Sequence, residues 1–119
     1  MSVEENKATI YHIWDELNRG NLAVIDECFA DNFVRYAHDG KTMDRQGYKN
    51  MGAFIAKNMP DFHVIVDDMV AEKDKVAFRM TITGTLNNKR SITKETYFAR
   101  FENGKIVEYV NLNRDVSPQ

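Results

Sequence analysis

With 119 residues, 43% of them hydrophobic and only 2 of them proline, the chain fits one domain whose single core buries roughly two-thirds of the unfolded surface. Its 16 Lys and Arg against 18 Asp and Glu leave a formal net charge of -2, which excludes the basic field that nucleic acid or an anionic membrane would require. Cys28 is the only cysteine, so no intrachain disulfide can form; with an acidic, polar start and no long apolar run, a soluble cytoplasmic protein is expected.

Ser2 and Glu5 have capping-box spacing and open a first helix, in which Ile10, Ile13, Trp14 and Leu17 recur at helical intervals until Gly20 stops it. Leu22, Ile25, Cys28 and Phe29 predict a second, short helix capped by Asn21. The stretch "NFVRYAH" sets Phe33, Arg35 and Ala37 against Val34, Tyr36 and His38, the alternation of a first strand. A third helix follows, with Asp44 as its cap, Tyr48, Met51, Ile55 and Met59 as its buried stripe, and Pro60 at its end.

Beyond Pro60 the apolar period becomes two. "FHVIVDDMV" is rich in β-branched residues, and "EKDK" turns into "VAFRMTITGTL", whose Val76, Phe78, Met80 and Ile82 make one dry face. A second polar turn, "NNKR", leads to "SITKETYFARF", and Asn103-Gly104 is a strong hairpin signal before the last strand. Helices first and a meander of strands afterwards predict an α+β protein, an antiparallel sheet with its helices on one face. Asp67 and Asp68, adjacent on a strand, should point to opposite faces and form no carboxylate pair unless a bulge intervenes. His63, out of phase with Phe62 and Val64, should face the outer side of the sheet.

The order of elements, with "LNRGNLAVIDECFADNFV" early, "VDDMVAEKDKVAFRMTITGT" in the middle and "RFENGKIVEYVNLNRD" at the end, resembles the SnoaL-like polyketide cyclase family of the nuclear transport factor 2-like superfamily. The resemblance spans nearly the whole of residues 1–119 as a single domain. It implies a cone, a curved sheet wrapped around three N-terminal helices, open at one end onto a mostly apolar cavity. It implies no cofactor, and a homodimer formed through the outer sheet face, where His63, Ile65 and Phe98 are expected. Family cyclases carry a pattern similar to E-x-W-x-x-x-D after the hairpin, with the aspartate as acid and base. Counted from Glu108, Val110 stands at the tryptophan position here and Arg114 at the aspartate position, with Asp115 one residue later. A one-residue offset on a strand reverses the side chain's face unless a bulge restores it.

His38 and Asp115 are therefore the candidate proton-transfer residues, with Tyr36 beside His38 at the end of the first strand. Trp14, Phe54, Met80 and Tyr97 are expected in the cavity wall, and Asn113 and Arg114 at its polar end. A guanidinium there would favour an anionic ligand. Neither H-E-x-x-H nor C-x-x-C occurs and the histidines are scattered, so no metal is predicted. Two functions stay open. One is a small enzyme performing acid-base chemistry (cyclisation, isomerisation, dehydration or hydrolysis) on an apolar carbonyl compound. The other is a non-catalytic module of the same fold that binds a small apolar or weakly anionic molecule.

Overall fold

The computed structural model describes residues 2–118. Helix α1 (Val3–Asn18) begins as its sequence demands: the Glu5 amide donates to Ser2 Oγ and the Ser2 amide to Glu5 Oε1, each at 3.0 Å. This reciprocal pair satisfies two of the amides that a helix start leaves without partners. Helix α2 spans only Val24–Cys28 and has no side-chain cap. Asn21 instead accepts from the Ala23 amide at 3.3 Å, closing a local turn before the helix, and Phe29 already opens strand β1 (Phe29–Tyr36). Strand β2 (Thr42–Asp44), too short for an alternation signal, runs antiparallel to β1. Helix α3 (Arg45–Asn58) is capped by Asp44, whose Oδ1 accepts from the Gly47 amide at 2.8 Å.

Strands β3 (His63–Glu72), β4 (Lys75–Leu86), β5 (Lys89–Glu102) and β6 (Lys105–Pro118) form the predicted meander. Two of the three two-residue hairpins carry left-handed backbone at both central residues: Asn87 and Asn88 have φ of 52° and 64°, and Asn103 and Gly104 have φ of 51° and 79°. Such turns match the twist of their flanking strands, and asparagine and glycine tolerate them best.

The strand order is β2-β1-β6-β5-β4-β3 in one curved, unclosed sheet. One pairing departs from the expected antiparallel pattern: β1 runs parallel to β6. The whole of the intervening chain serves as the crossover that a parallel pair needs, so the sequence pattern of β1 alone could not show which way it runs. At the opposite margin β3 is an edge strand, and α1 closes part of it. The Asn18 carboxamide donates to the Val64 carbonyl at 2.8 Å and accepts from the Val64 amide at 2.9 Å, standing in for a neighbouring strand.

Ile10, Ile13, Val24, Phe29, Phe33, Phe78, Ile106 and Tyr109 fill the core between the helices and the sheet. A bulge in β3 at Asp67 corrects one expectation. Because the extra residue shifts the register between Val66 and Asp68, both acidic side chains reach the outer face. There Thr81 Oγ1 donates to Asp67 at 2.6 Å, and Arg79 forms a two-pronged pair with Asp68 at 2.7 Å.

Truncating fully buried Ile13 to alanine leaves a hole that the packed helix cannot close. Ile13→Ala is expected to lower unfolding free energy by about 2–5 kcal/mol in a urea titration. Burial pushes the Cys28 thiol up to about 11, so at pH 8 it is held as the unreactive thiol. Iodoacetamide should leave the native protein unlabelled and modify it readily in denaturant.

Candidate functional site

Helices α1 and α3 do not fill the bend of the sheet completely. Between them and the concave faces of β1, β4, β5 and β6 lies an open-ended cavity of about 810 Å³, large enough for a drug-sized molecule. Its walls are mostly apolar and unusually rich in thioethers: Met43, Met51, Met59 and Met80, four of the chain's 6 methionines, line it. Unbranched methionine side chains adjust to ligands of differing shape.

The polar groups gather at one place on this wall, and a bulge puts them there. Along β5, Thr93, Glu95, Tyr97, Ala99 and Phe101 are buried and face inward. On β6, Tyr109 and buried Asn111 face inward as well, with Asn111 opposite Tyr97. The next pairs are Thr96 with Asn113 and Glu95 with Arg114, so Leu112 is the extra residue of a bulge. Without it, strict alternation would send residue 113 inward and Arg114 out. With it, Arg114 stands on the cavity side beside Glu95, its Nε 3.9 Å from Oε2.

Asn111 holds this irregularity in place. Its Nδ2 donates to the Thr96 carbonyl at 3.2 Å, to the Asn113 carbonyl at 3.0 Å and to Glu95 Oε1 at 3.3 Å. One buried amide thus serves acceptors that the interrupted ladder leaves open and also fixes the carboxylate.

Tyr97 and Arg35 complete the cluster. Arg35 Nη2 donates to the Tyr97 hydroxyl at 2.9 Å, and the guanidinium carbon lies 5.9 Å from the Tyr97 ring centre. Glu95 lies close enough to this hydroxyl to act on its charge. Burial raises the Tyr97 phenol well above its ordinary value, with Glu95 adding to the rise and Arg35 opposing it. Tyr97 therefore stays a neutral donor around neutral pH. Tyr48 and Tyr109, fully enclosed next to it, are raised for the same reason. Glu95 is thus buried in the cavity wall among the guanidinium groups of Arg35 and Arg114 and the neutral phenol of Tyr97.

Of the residues expected from the sequence, the structure brings Trp14, His38, Met80, Tyr97 and Arg114 to the cavity lining. His38 lies at the exposed mouth, beyond the end of β1. Four others lie elsewhere. Tyr36 pairs with Val110, out of phase with inward Arg35 and Tyr109, so it points to the outer face; the strand ends there, and the supposed alternation with His38 does not continue. Phe54 is 53% exposed, because it lies about a third of a turn from the α3 stripe of Tyr48, Met51, Ile55 and Met59. Asn113 and Asp115 are exposed and point outward, Asp115 opposite Lys94; the same bulge that turns Arg114 in turns them out. Two residues that sequence reasoning passed over, Arg35 and Glu95, are the charged centre of the site. Both were in phase with accepted inward residues, Arg35 with Phe33 and Glu95 with Tyr97, and period two would have found them.

The SnoaL-like polyketide cyclase family model matches residues 8–115. No curated protein sequence matches significantly. Among solved structures, AclR from Streptomyces galilaeus, provisionally a hydroxylase, is 25% identical; the match covers 98% of this chain and 83% of that one with a TM-score of 0.85. IdmH from Streptomyces antibioticus, provisionally a polyketide cyclase, is 23% identical over 92% of this chain and 91% of its own, with a TM-score of 0.81. TsrD from Streptomyces laurentii is 18% identical over 97% and 91%, with a TM-score of 0.83. All three share the fold, and because one fold can host different activities, the site, rather than the architecture, must identify the chemistry. By its family match over almost its whole length and by its helix-filled open cone, the chain belongs to the SnoaL-like polyketide cyclases.

Proposed function

We propose that this protein is a small acid-base enzyme acting on an apolar, carbonyl-containing molecule, with Glu95 as the group that moves the proton. The observation that carries this reading is a carboxylate only 8% exposed, on the wall of an apolar cavity, held by Asn111 and flanked by Tyr97, Arg35 and Arg114. In this reading Glu95 takes over the role that family cyclases give to a carboxylate at the position of Arg114. Asp115 points away from the cavity, and His38 at the mouth is a second group able to exchange protons with solvent.

The chemistry follows from the geometry. A Glu95 oxygen removes a proton from the carbon next to the substrate carbonyl; the electron pair of that C–H bond forms a carbon–carbon double bond, and the carbonyl π pair moves onto oxygen to give an enolate. The Tyr97 hydroxyl, its own oxygen accepting from Arg35, is polarised to donate to that oxyanion. Glu95, now protonated, returns the proton elsewhere on the conjugated system or, as the enolate carbon attacks a second carbonyl of the same molecule and closes a ring, gives it to the oxygen of that carbonyl. Isomerisation and cyclisation both need only this exchange, which matches a site built from one carboxylate and neighbouring donors. The second reading, binding without turnover, is favoured by the Arg114–Glu95 pair, which engages the carboxylate before any substrate arrives.

Glu95→Gln keeps the shape and removes the base. It should lower turnover of an enolisable aromatic or decalone-type ketone by roughly 10²–10⁴-fold while leaving circular dichroism unchanged. A wild type that is silent across a broad ketone panel would favour the binding module, whereas a Glu95→Gln variant as active as the wild type would remove Glu95 as the base. Asn111→Leu removes the amide that holds both bulge and carboxylate, and is expected to reduce turnover as well as to destabilise the fold by about 1–3 kcal/mol.

We also propose that the working form is a homodimer through the outer face of the sheet. Tyr36, Val110, Phe98, Ala77 and Val70 stand in one cross-strand row over five strands, with Phe98 38% and Val70 72% exposed. A continuous apolar row of this kind favours association with a like surface. Sedimentation should give twice the 13.8 kDa chain mass, falling to the single chain in Phe98→Glu. A wild type that sediments as one chain would disprove the dimer.

A further inference from the structure

Four cationic side chains other than histidine line the cavity: Arg19, Arg35, Lys41 and Arg114. Three have a carboxylate near them. Arg19 pairs with Glu16 at 3.6 Å, Lys41 with Asp39 at 4.0 Å, and Arg114 with Glu95 at 3.9 Å. Arg35 differs. Among the described residues it forms no ion pair, its hydrogen bond goes to the neutral Tyr97 hydroxyl, and its Nε is buried with no partner at all. Burial works against its charge, but Tyr97, Tyr48 and Glu95 together raise its pKa above the ordinary value, so the group remains charged.

A guanidinium set into an apolar wall with one donor unsatisfied is costly, and a protein retains such a group where something else completes it. The local count points the same way: Glu95 supplies one negative charge between Arg35 and Arg114, which leaves one positive charge over. We propose that the ligand of this cavity is an apolar carboxylic acid, bound as its monoanion, and that Arg35 is the residue that anchors the carboxylate.

The rest of the cavity fits such a molecule. The thioether-rich wall takes its hydrocarbon body, and the planar guanidinium matches the two oxygens of a carboxylate. Position also follows. Arg35 donates to the Tyr97 hydroxyl, and Glu95 lies near enough to act on the charge of both, so a carboxylate on Arg35 lies beside the proposed base. A substrate so anchored presents to Glu95 a carbon within a few bonds of its own carboxylate. This assignment deepens the enzyme reading above and rests on it for the meaning of that carbon, while the binding preference stands independently of turnover.

The test is calorimetric titration of the protein with phenylacetate, 2-naphthylacetate and decanoate, each beside its methyl ester. At least one acid is expected to bind about tenfold or more tightly than its ester. Arg35→Gln should bring that acid down to the affinity of the ester while leaving the ester unchanged; Arg114→Gln should preserve the preference. If Arg35→Gln does not fold, Arg35→Lys, which keeps the charge without the fork, should still weaken the acid selectively. Equal binding of acid and ester, no binding of any acid in the series, or a preference that survives Arg35→Gln overturns the proposal. Glu95→Gln separates it from the enzyme reading: the acid preference persists there, so a preference without turnover sinks only catalysis, and turnover of neutral ketones without a preference sinks only the anchor.

Discussion

One extra residue in the last strand governs the chemistry of this cavity. Up to Asn111 the inward side chains of β6 continue the core; past Leu112 the phase is reversed, and Arg114 faces Glu95 across the ladder. The Asn111 amide makes the irregularity tolerable by serving two carbonyls that the broken ladder leaves open. The same amide reaches the Glu95 carboxylate, so the backbone defect and the position of the ionised group depend on one side chain. Bulges next to functional sites commonly re-aim side chains in this way.

Around that point the aromatic core and the site are continuous. Tyr97 stacks on Tyr109 at 4.6 Å between ring centres, and Tyr109 in turn lies 5.7 Å from both Phe29 and Phe78. Rings packed from the core outward thus fix the hydroxyl to which Arg35 donates, beside Glu95. Excluding water from this region strengthens each electrostatic contact in it and keeps the phenols neutral. The stiffness of the floor contrasts with the wall opposite, where α3 and β4 offer methionines. A rigid polar end and an adaptable apolar side suit a site that holds one functional group in register while accepting varied hydrocarbon bodies.

Much of the fold was legible in the chain. The capping box at Ser2 and Glu5, the Asp44 cap, the two asparagine-rich turns and the change of period after Pro60 each act through neighbours a few residues away, so local chemistry states them directly. The α2 boundary was shifted because Asn21 closes a turn instead of capping, a choice between two local hydrogen bonds of similar worth. The parallel pairing of β1 with β6 was not legible, since direction is decided by where the intervening chain returns.

For the site the division is sharper. Alternation was enough to place Met80, Tyr97 and Trp14 toward the interior, and it contained Arg35 and Glu95 as well, in phase with Phe33 and Tyr97, although a charged residue on a strand suggests solvent when no cavity is known to lie behind it. What alternation could not supply was the phase beyond Leu112. A bulge depends on how two strands from distant parts of the chain pair and on a side chain able to satisfy the carbonyls it frees, and neither is written in the spacing of β6. The sequence specified an inward face and an outward face; only the paired strands decided that Arg114 belongs to the first and Asp115 to the second.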